Sequence, residues 1–328
     1  MFSCVSNNTE PDDSVSLKAL GRASSEGNQW KQLVQLPTKI DKVNFWLSDI
    51  TCSFDGYVYV STSGGGIYKI NPKDTSYVQL TNGLIVQQNE GFGQSCFSGS
   101  VLCLGNQVVC SSSHDNLGGY FYSEDGNTFK QTAIWNKGAY GESIAQSPNG
   151  QLFAAGYEQV LRSTNFGKSW IDESLNFDSS LKNFFSIAFG KNAGIYVTAN
   201  TGLFYSDAGQ IHFKRIAFEN EDTYGIDVNS EGWIFVTAIS GLYCSKDEGK
   251  NWTLVSTFPI KISYGSVYIN KNNSIFVGSG NGVYRSNDNG LTWALVGLKG
   301  MNVGNIKSDN NGNLLAYTWG NRVYLGTN

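Results

Sequence analysis

The sequence predicts an all-β fold built from a repeated unit of about four short strands, on three observations. First, 38 glycines, 17 tyrosines, 19 phenylalanines and 8 tryptophans stand against 2 methionines. That mixture favours pleated strands and frequent turns over helices. Second, one segment recurs: FYSEDGNTF ending at Phe129, LRSTNFGKSW at Trp170, FYSDAGQIHF at Phe213, YCSKDEGKNW at Trp252 and YRSNDNGLTW at Trp293. The spacing is 39–43 residues. Third, short apolar runs bounded by Gly, Asn and Ser lie between the copies, as buried strands in stacked sheets require. A period near 40 with such strands is that of a β-propeller, four strands to a blade.

The elements follow in order within each repeat. A first strand opens at an aromatic beside glycine, as at Tyr140-Gly141, Tyr224-Gly225 and Tyr264-Gly265. A turn rich in Asn and Gly precedes an apolar second strand, such as Trp233-Ile-Phe-Val-Thr or Ser274-Ile-Phe-Val-Gly. A tight glycine turn leads to the third strand, as at Gly241-Leu-Tyr-Cys-Ser and Gly282-Val-Tyr-Arg-Ser. The recurring polar turn then delivers the aromatic that starts the fourth strand. Second strands open near Tyr57, Gln107, Gln151, Gly194, Trp233, Ser274 and Asn313, which predicts seven blades. The last repeat runs out after Arg322-Val-Tyr-Leu-Gly, while the segment Trp30–Leu36 has no repeat of its own. Ring closure by this N-terminal strand, completing the C-terminal blade, is therefore expected. It would hide two sheet edges. A flexible N-terminal segment over residues 1–27 and a single propeller over 28–328 are the expected domains.

The turn Ser-x-Asp-x-Gly-x-Thr/Ser-Trp, seen at Ser245–Trp252 and Ser286–Trp293, resembles the Asp-box, or BNR repeat, of sialidase-like β-propellers. At Ser163–Trp170, Asn165 replaces the Asp; Ser123–Phe129 is one residue short, and Ser206–Phe213 has its Asp and Gly one place early. Blade one has lost the turn. The expected role of Asp247, Asp288, Gly249, Gly290, Trp252 and Trp293 is structural: carboxylates that accept from their own turn, glycines at positive φ, rings packed between blades. The resemblance places these turns on the face opposite the usual ligand site.

Composition excludes several classes. Net charge is −4, so the electrostatic footprint of a nucleic-acid binder is missing. No run approaches the roughly 20 apolar residues of a membrane-spanning helix, and no membrane insertion is expected. Residues 1–27 lack the apolar core of a signal peptide. The expected location is the cytoplasm, or outside the cell by a route that needs no cleavable leader. The 6 cysteines form no Cys-x-x-Cys and have 2 histidines to help them, so reduced thiols are expected, with no metal and no cofactor. Asn251-Trp-Thr and Asn272-Asn-Ser are sequons by pattern alone. A monomer is expected.

Ligands of propellers of this kind usually sit at the mouth of the central channel, where the connections between blades and the second-to-third-strand turns gather. Blade two carries the longest of both, Gln87–Ser98 and Ser111–Gly119. Function concentrates on such loops. The first-strand entries add aromatics, carboxylates and amides, a mixture suited to a glycan or a peptide. The expected ligand contacts are Trp46, Phe92, Gln94, His114, Asp115, Tyr140, Tyr224 and Tyr264, with Phe185 and Asn305 among the channel-facing entries. Sialidase activity is disfavoured. The arginines Arg22, Arg162, Arg215, Arg285 and Arg322 do not supply a triad at that face. Catalysis by a carboxylate pair would draw on Asp49, Glu142 or Asp227 and needs a separation of roughly 5–9.5 Å. His114-Asp115 could act as an acid–base pair, or be a solvated loop. The expected function is a binding module for a glycan or protein. The alternatives are a glycoside hydrolase or lyase using those carboxylates, and a non-catalytic scaffold or exported effector.

Overall fold

A computed structural model describes residues 29–40, 43–89, 93–114, 117–135, 141–174, 177, 183–259 and 266–327. The expected flexible segment over residues 1–27 lies outside them. The described chain is all-β and propeller-like, with antiparallel sheets arranged in chain order. Among the described residues no helix is long and apolar enough to cross a membrane, which leaves strands unaddressed.

The second strand of every repeat is the heart of its sheet. Leu152–Gly156, Ile195–Ala199, Ile234–Ala238, Ile275–Ser279 and Leu314–Thr318 are buried along their whole length. A strand with neighbours on both edges and sheets against both faces has no solvent side. Its sequence is accordingly continuous and apolar rather than alternating. The core is divided into clusters between successive sheets, such as Phe235, Leu242, Val267 and Val277 with Trp293 and Phe258 against them.

The number of separate blades differs from the expectation. Five four-stranded sheets are present, not seven. The remaining repeat strands share one ten-stranded sheet. The cause is the connection after the first repeat, expected to be a loop. Gln87–Asn89 and Gly93–Phe97 instead pair with each other as a hairpin. Gly93–Phe97 also pairs with Val58–Gly64 on one side and with Gln107–His114 on the other. Polar residues such as Gln and Ser carry no periodic signal there, yet their backbone groups still need partners. The nearby turn expected at Ser111–Gly119 is likewise mostly strand, since Gln107–His114 pairs with Leu117–Ser123 up to His114 and Leu117.

Gln29–Gln35 pairs antiparallel with Arg322–Thr327, from Gln29 opposite Thr327 to Gln35 opposite Arg322. The two ends of the described chain thus lie in one sheet, ordered Gln29–Gln35, Arg322–Thr327, Leu314–Thr318, Val303–Ser308. Leu33, Val34 and Leu36 join Phe45, Ile50, Val60, Leu315 and Val323 in a core shared with the first repeat. Trp30 is the anchor. Its Nε1 donates to Val296 O at 3.2 Å. It also lies over two glycines, where an added Cβ would stand 2.0 Å from its ring at Gly297 and 2.9 Å at Gly326.

The two full copies of the polar turn, at Ser245 and Ser286, share one hydrogen-bond pattern. Ser245 Oγ donates to Asp247 Oδ1 at 2.9 Å, Gly249 N donates to Ser245 Oγ at 2.8 Å, and Asn251 N donates to Asp247 Oδ1 at 2.8 Å. Ser286, Asp288, Gly290 and Thr292 repeat it at 2.8, 2.8 and 2.9 Å. Gly249 and Gly290 have φ of 86° and 88°, a region that costs other residues strain. Donors from Thr292 and Ser286 hold the Asp288 carboxyl at about 2, below its ordinary range. The indole N–H groups of Trp252 and Trp293 close the turns onto Gly249 O and Gly290 O.

Trp30→Ala should lower unfolding free energy by about 3 kcal/mol, as truncation of a packed aromatic does. Gly297→Val should do so as well, because its Cβ has no room beside Trp30. Urea unfolding of both variants tests whether this strand is part of the cooperative unit.

Candidate functional site

The sheet that joins the chain ends also builds an apolar cleft. Its last turn runs from Thr318 to Arg322 and is one residue longer than the matching turn from Ser279 to Gly282. The extra length presents Trp319 outward, 68% exposed. The incoming segment folds over this turn. Leu36 N donates to Asn321 O at 2.8 Å, and Asn321 Nδ2 returns bonds to Pro37 O and Phe45 O at 2.7 and 2.9 Å. Asn321 sits at φ 57°, which Asn tolerates better than most residues. On the other wall Trp46 is 62% exposed, with its backbone fixed to Ser63 through N–H to Oγ at 3.1 Å. Thr38, Phe45, Leu47 and Tyr317 complete a cleft of about 440 Å³.

Of the sequence-predicted contacts, Trp46 lines this cleft. Tyr224 is half-buried in another sheet, its ring 5.4 Å from that of Phe185 and its hydroxyl donating to Asp222 Oδ2 at 3.3 Å. Phe92, Asp115, Tyr140 and Tyr264 lie outside the described residues. Gln94, His114 and Glu142 fall on the strands Gly93–Phe97, Gln107–His114 and Gly141–Gln146, and their side chains lie outside them too. Trp319 was missed by sequence reasoning, which followed the first-strand entries. A signal was there: tryptophan interrupts a turn otherwise made of Gly and Asn.

The two candidate carboxylates whose side chains are described, Asp49 and Asp227, are engaged in joining successive repeats. Asp49 is 4% exposed on the first strand of the first repeat. It accepts from Ile50 N at 2.8 Å, from Val101 N at 3.2 Å and from Asn305 Nδ2 at 2.9 Å, and Lys307 Nζ stands 2.9 Å from Oδ1. It therefore ties its own repeat to the repeats before and after it. Asp227, several sheets away, accepts from Val228 N at 2.8 Å and from Ile269 N in the next sheet at 2.7 Å. Burial pushes its carboxyl up to about 6, while the two N–H donors pull the other way. The two share no partner. Thr51 plays the same bridging part, accepting from Cys103 N at 3.3 Å.

A second, polar cavity of about 290 Å³ lies on the turn-bearing rim, lined by Lys191, Lys246, Lys250, Glu231, Glu248 and Tyr205 among others. Among the described residues no cluster of three metal-ligating side chains occurs. Cys52, Cys96, Cys103, Cys110 and Cys244 are free thiols, and burial raises Cys96 to about 11.

No family model matches the chain, and no curated protein sequence matches it. Solved structures do. YCF48 bound to D1 peptide superposes with a TM-score of 0.70 at 14% identity, covering 93% of this chain and 99% of its own. A catalytically inactive virginiamycin B lyase from Staphylococcus aureus with quinupristin gives 0.65 at 14% identity over 92% and 99%. The GH74 xyloglucanase from Xanthomonas campestris gives 0.64 at 15% over 90% of this chain and 53% of that one. At these identities the likeness establishes a β-propeller fold alone. It does not extend to an Asp-box or sialidase family.

Two measurements test the roles of the carboxylates. Asp49→Ala should cost about 3 kcal/mol of stability, because it leaves the Lys307 ammonium and two N–H groups without their partner. Asp227 has a folded-state value of about 6, above the usual carboxyl near 3.9, so the native state holds more protons between those values. Wild type should lose roughly 3 kcal/mol relative to Asp227→Asn as pH rises from about 4 to about 6, with a constant difference above that. Denaturant midpoints of the two proteins across that window give the comparison.

Proposed function

We propose that the chain is a non-catalytic binding module that holds a glycan or protein ligand at the mouth of a central channel. The observation that carries this reading is the pair of exposed tryptophans flanking one apolar cleft. Large exposed aromatics over a concave apolar surface are the usual anchor of a binding site. In this reading Gln29–Gln35 closes the propeller ring by pairing with Arg322–Thr327. The turn chemistry at Asp247 and Asp288 supports membership among Asp-box propellers.

The hydrolase or lyase reading is less well supported. It needs carboxylate oxygens turned to a substrate, and those of Asp49 and Asp227 accept from the fold's own donors. YCF48 with D1 peptide and virginiamycin B lyase with quinupristin are precedents for ligands on this scaffold. On charge, a nucleic-acid partner does not fit, and the chain is read as a monomer.

The test is a turnover screen on polysaccharides and cyclic peptides beside binding assays on the same compounds. Binding without turnover is expected, with Trp319→Ala weakening it at least about tenfold. Because Trp319 is exposed, that change should alter stability by no more than about 0.5 kcal/mol. Turnover abolished by Asp227→Asn in a folded variant would overturn the proposal.

A further inference from the structure

The floor of the tryptophan cleft is hydrocarbon, and most of its polar groups are already satisfied. Phe45 and Leu47 are buried side chains. The Tyr317 hydroxyl donates to Ser48 O at 2.7 Å, and the Asn321 amide donates to two carbonyls of the incoming segment. Thr38 and Thr318 add two hydroxyls. A pyranose pressed onto this floor would bury several hydroxyls with few partners, and each unpaired hydroxyl disfavours binding. An aliphatic or aromatic side chain would bury only apolar surface, which is favourable in proportion to its area.

The walls differ from the floor. Trp30, Trp170, Trp252 and Trp293 each donate an indole N–H to the fold. Trp46 and Trp319 are mostly exposed, and their N–H groups have no such partner among the described residues. Each offers an apolar face and one donor, which suits a main chain crossing the cleft with its carbonyls at the rim.

Arg322 brings a cation to the rim after Asn321, and the exposed Lys39 follows Thr38 in the chain. Arg322 Nη1 stands 3.2 Å from where a Cβ on Gly320 would lie, so the guanidinium sits against the turn that presents Trp319. Neither cation is in an ion pair among the described residues, and no carboxylate lines the cleft there. Unpaired cations beside an apolar pocket complement a segment with acidic residues around an apolar one.

We infer that the ligand is a protein segment that seats one large apolar side chain between Trp46 and Trp319, with Asp or Glu beside it facing Lys39 and Arg322. This rests on the mouth-binding reading above and narrows it to one ligand class.

The experiment selects a phage-displayed random dodecapeptide library on the full chain and, in parallel, on the Trp46→Ala/Trp319→Ala double variant. A glycan array is probed with both proteins. The expected result is wild-type-specific peptides with a Leu, Phe, Ile or Trp flanked by acidic residues. Synthetic copies should bind at least about tenfold more weakly to either single tryptophan variant. Lys39→Glu/Arg322→Glu should weaken them several-fold and remove their salt dependence. Thermal melting confirms that each variant is folded. A glycan that binds wild type and is lost in the double variant would keep the mouth as the site and overturn the protein class. Peptides enriched equally on both proteins, or no binder on either platform, would overturn the site itself. Peptides without acidic residues, indifferent to charge reversal, would overturn the role given to the two cations.

Discussion

Pairing between Gln29–Gln35 and Arg322–Thr327 is the interaction on which the rest depends, because it brings residues almost 300 apart into one register. Without it the third strand of the last repeat would be an open edge, and Leu33, Val34 and Leu36 would lose the core they share with the first repeat. Closing so long a loop is entropically unfavourable. Trp30 helps to offset this by packing over Gly297 and Gly326 and bonding to Val296 O. The tryptophan cleft is a by-product of the same pairing. Only because the chain leaves Gln35 beside Arg322 can Pro37 and Phe45 receive the Asn321 amide and wall the Trp319 turn.

Sheets that touch face to face also need lateral ties, since hydrophobic packing alone is non-directional. Asp49, Thr51 and Asp227 supply them, each accepting a backbone N–H from the following repeat. A carboxylate in this position is more demanding than a hydroxyl, because its charge must be compensated when buried. Asp49 has Lys307 for that purpose, and Asp227 has only N–H donors. This difference is consistent with the raised value at Asp227. It also separates acidic residues that hold a fold together from those that could do chemistry, although both look alike in a string of letters.

The rim turns show the opposite economy. Asp247 and Asp288 are solvated, receive several donors, and fix a glycine at positive φ below the aromatic that starts the next strand. Such a turn is self-sufficient. It can recur with Asn165 in place of Asp, where Ser169 N still donates to the side-chain oxygen at 2.9 Å.

Local features were legible in the sequence because their physics is local. The period, the buried second strands and the Ser-x-Asp-x-Gly turns are set by side-chain pattern and by hydrogen bonds between residues two to four apart. Trp46 was readable as an aromatic at a first-strand entry. What the sequence could not decide were the partners of polar segments and polar residues. Gln87–Asn89 and Gly93–Phe97 read as a loop, yet backbone pairing across the first two repeats makes them strands and merges two expected blades into one sheet. Asp49 and Asp227 read as candidate acids, yet Val101, Lys307 and Ile269 claim their oxygens. Trp319 became half of a cleft only when Trp46, 273 positions earlier in the chain, came to stand opposite it. Each of these outcomes turns on contacts between residues far apart in sequence, which a pattern of neighbours does not encode and the tertiary structure alone supplies.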